Sequence, residues 1–155
     1  MTTLWRISNY PDLSGEGARG ASGRWHTMGR VVVYLAENPA SAMLERIVHL
    51  TDRNEEGILP SFFQLLQISV PDQILIKPLS TLARIDWKER FESTRPIGDA
   101  WLASLETPLA RVPSSIVPRT WNYLLNPEHT DAKQVVIAEV IRERFDNRLL
   151  GFGGR

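Results

Sequence analysis

The distribution of apolar positions along the chain predicts short strands mixed with helices. Strand-sized apolar runs, several of them rich in β-branched residues, occupy residues 4–7, 31–36, 63–70, 73–76, 109–112 and 135–141. Helices are predicted at 39–51, 86–93 and 98–105, and each of the last two contains a tryptophan that would anchor it to the core. Because these elements follow no regular βαβ order, the pattern favours the α+β class, a single domain with a mixed sheet and flanking helices.

The predicted helix at 39–51 has a typical start, since Asn38 is suited to the N-cap and Pro39 to the first helical position. On a wheel of 3.6 residues per turn the apolar residues share one face, which contains Ala40, Met43, Leu44, Ile47 and Leu50. Glu45 lies well away from the centre of that face. This position suits a residue that projects into a cleft, and it equally suits a solvated residue.

Length and composition indicate one globular domain. The chain has 155 residues, of which 43% are hydrophobic and 23% are charged. We expect a domain over residues 1–150 and a short C-terminal tail over 151–155. Eighteen basic residues balance 18 acidic ones, so no global charge favours nucleic acid, and we expect no direct nucleic-acid binding.

Other classes of site are excluded or disfavoured by residue type. The sequence has no cysteine, which excludes disulfides, thiolate metal sites and cysteine nucleophiles. Its three histidines, at 26, 49 and 129, are far apart and have no ligand spacing, so no metal is expected. The N-terminus lacks a signal-peptide pattern, and no apolar stretch approaches the roughly 18 residues of a membrane span. We therefore expect a cytoplasmic protein without a membrane segment.

A glycine-rich segment at 14–24 is the first candidate for binding. Its glycines stand at 15, 17, 20 and 23, and Arg19 and Arg24 add positive charge. Such a loop leaves backbone N–H groups open to an anion. It is neither a dinucleotide fingerprint nor a P-loop, because it leads into Arg24-Trp25-His26 rather than a helix and has no lysine. A phosphate site and a flexible surface loop both fit this pattern.

Several short motifs in one order resemble the RES domain family. The first is GRWHTMGR at 23–30, followed by VYLA at 33–36 and AMLE at 42–45. The second half has VPS at 112–114, WNYLLNP at 121–127 and FDNRL at 145–149. The family's name-giving arginine, glutamate and serine correspond to Arg24, Glu45 and Ser114. His26 stands where the family commonly has asparagine, and Thr120 stands where an acidic residue is frequent.

The resemblance implies a toxin of a bacterial type II toxin–antitoxin pair, with a fold like that of ADP-ribosyltransferase toxins. Such proteins consume NAD by hydrolysis or phosphorolysis, or transfer ADP-ribose to a protein. The implied partner is an Xre-like antitoxin that contains a helix-turn-helix and blocks the active site. The toxin is expected to be oligomeric in that complex. NAD would be a substrate, and no metal would be required.

The implied chemistry assigns a role to each candidate residue. Cleavage of the nicotinamide–ribose bond leaves positive charge on the ribose, which the carboxylate of Glu45 would stabilise. Arg24 would bind the pyrophosphate through its guanidinium fork, with Arg6 as a second clamp. Tyr34 would pack against the nicotinamide ring, and Ser114 would hydrogen-bond the ring amide or the ribose. The remaining binding residues would be Gly23 and Asn122.

Two alternatives differ from NAD cleavage by water or phosphate. A protein ADP-ribosyltransferase would use the same cleft with a protein acceptor, and its product would be a labelled protein rather than free ADP-ribose. A non-catalytic binding module would keep the fold and act only through its partner. The presence of both Arg24 and Glu45 favours the enzymes over the module.

Overall fold

The computed structural model of the protein describes residues 1–53, 60–80 and 86–150. In these ranges, seven strands and two α-helices form the fold, and short 3₁₀ turns cover Glu16–Ala18, Thr130–Gln134 and Asn147–Leu150. The helices are α1 (Pro39–Arg53) and α2 (Phe91–Ser104). The strands are β1 (Thr2–Ile7), β2 (Val33–Ala36), β3 (Phe62–Val70), β4 (Ile76–Pro78), β5 (Leu109–Pro113), β6 (Trp121–Leu125) and β7 (Val136–Arg144).

All seven strands belong to one sheet with the order β4-β5-β6-β2-β1-β3-β7. Its neighbouring strands are antiparallel except for β4 and β5, which are parallel. The mixed sheet and its helices confirm the predicted α+β class. The C-terminal tail predicted at 151–155 lies outside the described residues.

Alternation along the strands divides the core between the two faces of the sheet. In β2, Val33 and Leu35 point to what we call the first face, whereas Tyr34 and Ala36 point to the second face. The first-face core includes Leu4, Val33, Leu35, Leu66, Ile68 and Leu125. The second-face core includes Trp25, Val32, Trp101, Leu102, Ala110, Val112 and Leu124. The residues Trp101 and Leu102 belong to α2, which therefore covers the second face.

Helix α1 begins at Pro39 as predicted, and the side chain of Asn38 accepts a 2.8 Å hydrogen bond from the backbone N–H of Ser41. The predicted buried face is wrong in part. Ala42 is buried, whereas Ala40 and Leu44 are exposed. The helix is therefore rotated about its axis relative to the prediction. Glu45 lies on a partly buried side, where it contacts a polar side chain of the sheet.

Three other element predictions differ from the structure. The helix predicted at 86–93 is wrong in its first part, because residues 86–89 form a turn. Helix α2 begins at Phe91, runs unbroken past Pro96 to Ser104 and includes most of the helix predicted at 98–105. Tertiary packing overrides the proline here, because Thr94 and Gly98 on either side of it are buried against the loop that contains Trp25. The strand predicted at 73–76 begins only at Ile76, and β6 has no counterpart among the predicted strands.

Within the described ranges, neither helix has the length and apolar character that a membrane span requires.

Candidate functional site

Two neighbouring strands place candidate residues on the second face of the sheet. Tyr34 of β2 pairs with Leu124 of β6, and Ala36 pairs with Asn122. Directly paired residues point to the same side of a sheet, so Tyr34 and Asn122 are diagonal neighbours on the second face. Diagonal neighbours on adjacent antiparallel strands lie roughly 7–8 Å apart, measured between their backbone positions.

Helix α1 brings a carboxylate to this part of the sheet. Oε1 of Glu45 accepts a hydrogen bond of 2.7 Å from Nδ2 of Asn122. In the described part of the chain, Oδ1 of the same asparagine is buried and receives no hydrogen bond. A buried acceptor without a donor is costly, so this oxygen is a suitable contact for a ligand N–H or O–H group.

The guanidinium of Arg24 lies on a platform formed by aromatic residues that precede and begin α2. Its Cζ is 4.7 Å from the ring centroid of Phe91 and 5.6 Å from that of Trp87. Nη1 donates a 2.8 Å hydrogen bond to the carbonyl oxygen of Lys88. Partial burial lowers the pKa of Arg24 from its ordinary value, and the negative charge of Glu45 opposes that shift. Arg24 and Glu45 therefore interact electrostatically across the site.

A second cation, Arg95 of α2, was not among the residues predicted from the sequence. Its Cζ lies 4.9 Å from the ring centroid of Phe91, so this one ring contacts both guanidinium groups. Nε donates a 2.7 Å hydrogen bond to the carbonyl oxygen of Gly23. The available sequence signal is the four-residue spacing between Phe91 and Arg95, which places both on one helix face. That spacing is too common to identify a site alone.

Tyr34 is held by hydrogen bonds from one side. Its hydroxyl oxygen accepts a 3.2 Å bond from the backbone N–H of Trp25 and lies 2.7 Å from Nδ1 of His26. Burial raises the pKa of Tyr34 far above its ordinary value, although the positive charges of Arg95 and Arg24 partly offset the shift. The phenol therefore stays protonated at physiological pH.

Gly23 is required by the close packing around Tyr34. A Cβ atom at this position would lie 2.6 Å from the Tyr34 hydroxyl oxygen and 2.7 Å from Cε1 of His26. The backbone N–H of Gly23 donates a 3.0 Å bond to the carbonyl oxygen of His26, which closes the turn. The glycine thus lets the loop approach the strand.

Ser114 follows the last residue of β5 and is 5% exposed. Its Oγ accepts hydrogen bonds from the backbone N–H groups of Ile116 at 3.1 Å and Val117 at 3.2 Å. The register of Val112 with Asn122 puts Ser114, two positions further on, toward the second face. The two accepted bonds use the lone pairs of the hydroxyl and leave its proton for donation.

Arg6 is not brought together with the other candidates. Trp5 pairs with Ala36 and shares the second face, so the adjacent Arg6 points to the first face. Its Nη1 donates a 3.2 Å hydrogen bond to the carbonyl oxygen of Asp12, and burial lowers the pKa of its guanidinium. This hydrogen bond anchors the loop that follows β1.

Other features of the described residues lie apart from this cluster. A cavity of about 370 Å³ beside β4 is lined by Lys77, Ile97, Trp101 and Glu106 among others, and by none of the candidate residues. Across the described ranges, no group of three or more histidine, aspartate or glutamate residues is placed to hold a metal ion.

Comparisons with known proteins agree with this arrangement of motifs and fold. The chain is 45% identical over 134 residues to Toxin Res of Pseudomonas putida, covering 86% of this chain and 90% of that protein. It is 36% identical over 160 residues to the Prs ADP-ribosylating toxin of a Sphingobium species, covering 96% and 97%.

The fold is also similar to that in the crystal structure of the M. tuberculosis MbcT–MbcA toxin–antitoxin complex. The TM-score is 0.74 at 21% identity, covering 92% of this chain and 84% of that chain. The RES domain family matches residues 3–146, a range that contains every candidate residue described above. The resemblance expected from the sequence is confirmed, and the protein belongs to the RES domain family.

Proposed function

We propose that this protein is the toxin of a type II toxin–antitoxin pair and that it depletes NAD by cleaving the nicotinamide–ribose bond. The observation that carries the proposal is the fixed carboxylate of Glu45, held by Asn122 on the same face as Tyr34. The relatives named as toxins support the biological role.

The proposed reaction breaks the bond between C1′ of the ribose and N1 of nicotinamide. The bonding electron pair leaves with nitrogen, so nicotinamide departs as a neutral molecule and no strong general acid is needed. Positive charge then develops on C1′ and the ring oxygen. A fixed anion stabilises that charge without reorganising during the reaction, and this is the role that we give to Glu45. Water or phosphate then adds to C1′, and water loses a proton when it adds.

The proposed binding mode uses the paired cations on Phe91. Arg24 and Arg95 both lie within 5 Å of that ring centroid, and together they match the two negative charges of a pyrophosphate. Arg95 takes the place of the second clamp that the sequence suggested for Arg6. Tyr34 would supply a flat face for the nicotinamide ring. The buried Oδ1 of Asn122 would accept a hydrogen bond from the ring amide or a ribose hydroxyl, and Ser114 would donate one.

Transfer of ADP-ribose to a protein is the second candidate. It is favoured by the similarity to the Sphingobium toxin, whose name states that it ADP-ribosylates Prs. Bond cleavage would be the same, and a nucleophilic side chain of the acceptor would add to C1′ and lose its proton.

Product identification tests the proposal and separates its branches. Purified protein is incubated with NAD, with and without phosphate, and with a bacterial protein extract as acceptor, and the products are identified by mass. Free ADP-ribose indicates hydrolysis, a phosphate ester of ADP-ribose indicates phosphorolysis, and a mass increase on a protein indicates transfer. The Glu45→Gln variant is the control. Intact NAD and unlabelled protein after incubation with folded wild type would contradict both enzymes and leave the binding module.

The proposed partner is an Xre-like antitoxin with a helix-turn-helix. The similar M. tuberculosis structure is a toxin–antitoxin complex, which supports an antitoxin as the partner. The paired cations form an anion site that an antitoxin carboxylate would block. DNA binding would belong to the partner, the complex would be oligomeric, and both proteins would act in the cytoplasm.

A further inference from the structure

His26 is buried, with 3% of its surface exposed, and it links three segments around the site. Nδ1 lies 2.7 Å from the hydroxyl oxygen of Tyr34 on β2. Nε2 lies 2.9 Å from the carbonyl oxygens of both Ala18 and Ala21 in the glycine-rich segment. The proposed reaction assigns no step to this residue.

The hydrogen bonds determine the tautomer of His26. Carbonyl oxygens only accept, so Nε2 carries a proton and shares it between Ala18 and Ala21. The hydroxyl of Tyr34 already accepts from the backbone N–H of Trp25 and needs an acceptor for its own proton. An unprotonated Nδ1 supplies that acceptor.

This arrangement fixes what Tyr34 offers to a ligand. Its hydroxyl proton points to His26 and not toward the cleft, so the aromatic face is the part of the side chain available for contact. The same imidazole holds the backbone of residues 18–21 against the turn at Gly23. A single side chain therefore sets the orientation of the ring and the position of the loop that precedes Arg24.

We propose that His26 is a positioning residue for NAD cleavage, which orients Tyr34 through Nδ1 and anchors the glycine-rich loop through Nε2. The inference rests on the proposed function for its catalytic part. It requires no contact between His26 and substrate.

Two substitutions separate the two contacts. In His26→Asn the amide oxygen takes the place of Nδ1 and still accepts from Tyr34, but the side chain no longer reaches Ala18 and Ala21. In His26→Gln the amide N–H takes the place of Nε2 and still donates to those carbonyls, but the acceptor for Tyr34 is lost. We expect His26→Gln to lower NAD turnover by about 10- to 100-fold, since misplacing a reacting partner has effects of this size.

The opposite pattern is expected for the loop. His26→Asn should retain turnover within a few-fold, while backbone amides of residues 18–24 exchange hydrogen faster than in wild type. In the Tyr34→Phe background, His26→Gln should have little further effect on turnover, because the shared bond is already absent. His129→Gln is the matched control, since His129 lies beside the 3₁₀ turn on the first face and should leave turnover unchanged.

Several outcomes would overturn the inference. They are equal losses of turnover in both variants, additive effects of His26→Gln and Tyr34→Phe, or full turnover by folded His26→Gln. The tautomer is checked without activity, by the ¹⁵N shifts of the imidazole in the wild-type protein. A proton on Nδ1 rather than Nε2 would overturn the inference alone, whereas a wild-type protein that does not consume NAD would overturn the proposed function.

Discussion

The carboxylate of Glu45 accepts a 2.7 Å hydrogen bond from the side-chain amide of Asn122, although 77 positions separate the two residues. The bond joins helix α1 to strand β6 across the second face of the sheet. Because Asn122 lies in the interior of the sheet, between β2 and β5, its amide is a rigid support for the carboxylate.

Replacing Glu45 by glutamine tests the charge apart from the shape. Glu45→Gln retains an oxygen that accepts from Asn122 but removes the negative charge. We expect the rate of NAD cleavage to fall by about 100- to 1000-fold, the usual loss for one electrostatic contact. The melting temperature should change little. The exposed Glu139→Gln on β7 is the control, and wild-type turnover by a folded Glu45→Gln protein would refute the assignment.

The paired guanidiniums predict that lysine is a poor substitute for either arginine. Arg24→Lys and Arg95→Lys keep the charge but lose the planar fork and its contact with Phe91. We expect NAD to bind about 10- to 100-fold more weakly in each variant, measured by calorimetry, because charged hydrogen bonds contribute on this scale. Arg148→Lys on the exposed C-terminal turn should bind like wild type. Unchanged affinity in Arg95→Lys would remove that residue from the site.

The close contact between Gly98 of α2 and the loop that contains Trp25 leaves no room for a larger side chain. A Cβ atom there would lie 1.8 Å from the carbonyl oxygen of Trp25. Gly98→Ala should therefore displace the loop beside Arg24 and lower the free energy of unfolding by roughly 1–3 kcal/mol, measured by urea denaturation. Gly20→Ala, which meets no atom within 4 Å, is the control. Equal stability of Gly98→Ala and wild type would show that the helix has room to move.

Tyr34 predicts a loss of stability at alkaline pH. Burial raises its pKa in the folded protein above the value of about 10 in the unfolded chain. The contribution of Tyr34 to the free energy of unfolding is complete below about pH 10. It decreases as the pH rises above that value, because the Tyr34 hydroxyl then loses its proton in the unfolded chain but keeps it in the folded protein.

The difference in unfolding free energy between wild type and Tyr34→Phe should therefore narrow above about pH 10. Urea denaturation across roughly pH 8 to 11 measures it. A difference that stays constant over that range would contradict the buried, protonated phenol.

Expression in bacteria tests the toxin role. The protein alone should stop growth and deplete NAD, and co-expression of the product of the adjacent gene should restore both. Glu45→Gln expressed at the same level should be harmless. The purified protein should not bind its own promoter DNA at physiological salt. Normal growth and normal NAD in cells that contain folded wild-type protein would count against the proposal.

The sequence predicts those elements whose local pattern agrees with their final packing. The strands expected at 63–70 and 135–141 are confirmed as β3 and β7, because apolar residues alternate at the end of β3 and β7 is rich in β-branched residues. The two separate helices predicted around α2 were wrong, since the packing of Gly98 against Trp25 is not a local signal. The exposure of Leu44 likewise depends on which side of α1 packs against the sheet, and this is not a local property of the sequence.

The candidate site shows the same limit. The order of the motifs predicted Arg24, Glu45 and Ser114 as site residues. The structure then shows the hydrogen-bond and ring contacts that hold each of these side chains. The direction of Arg6 follows from strand register, which a single sequence does not reveal. Arg95 has no motif of its own, and only the fold places its guanidinium on the ring that also carries Arg24.

The short connection between β2 and α1 consists of Glu37 and Asn38. Tyr34 and Glu45 are therefore carried by one local strand–turn–helix unit, and their separation is insensitive to changes in distant loops. Under the proposed function, the residue that faces the nicotinamide ring and the residue that faces the ribose therefore keep their relative position when the surrounding surface changes.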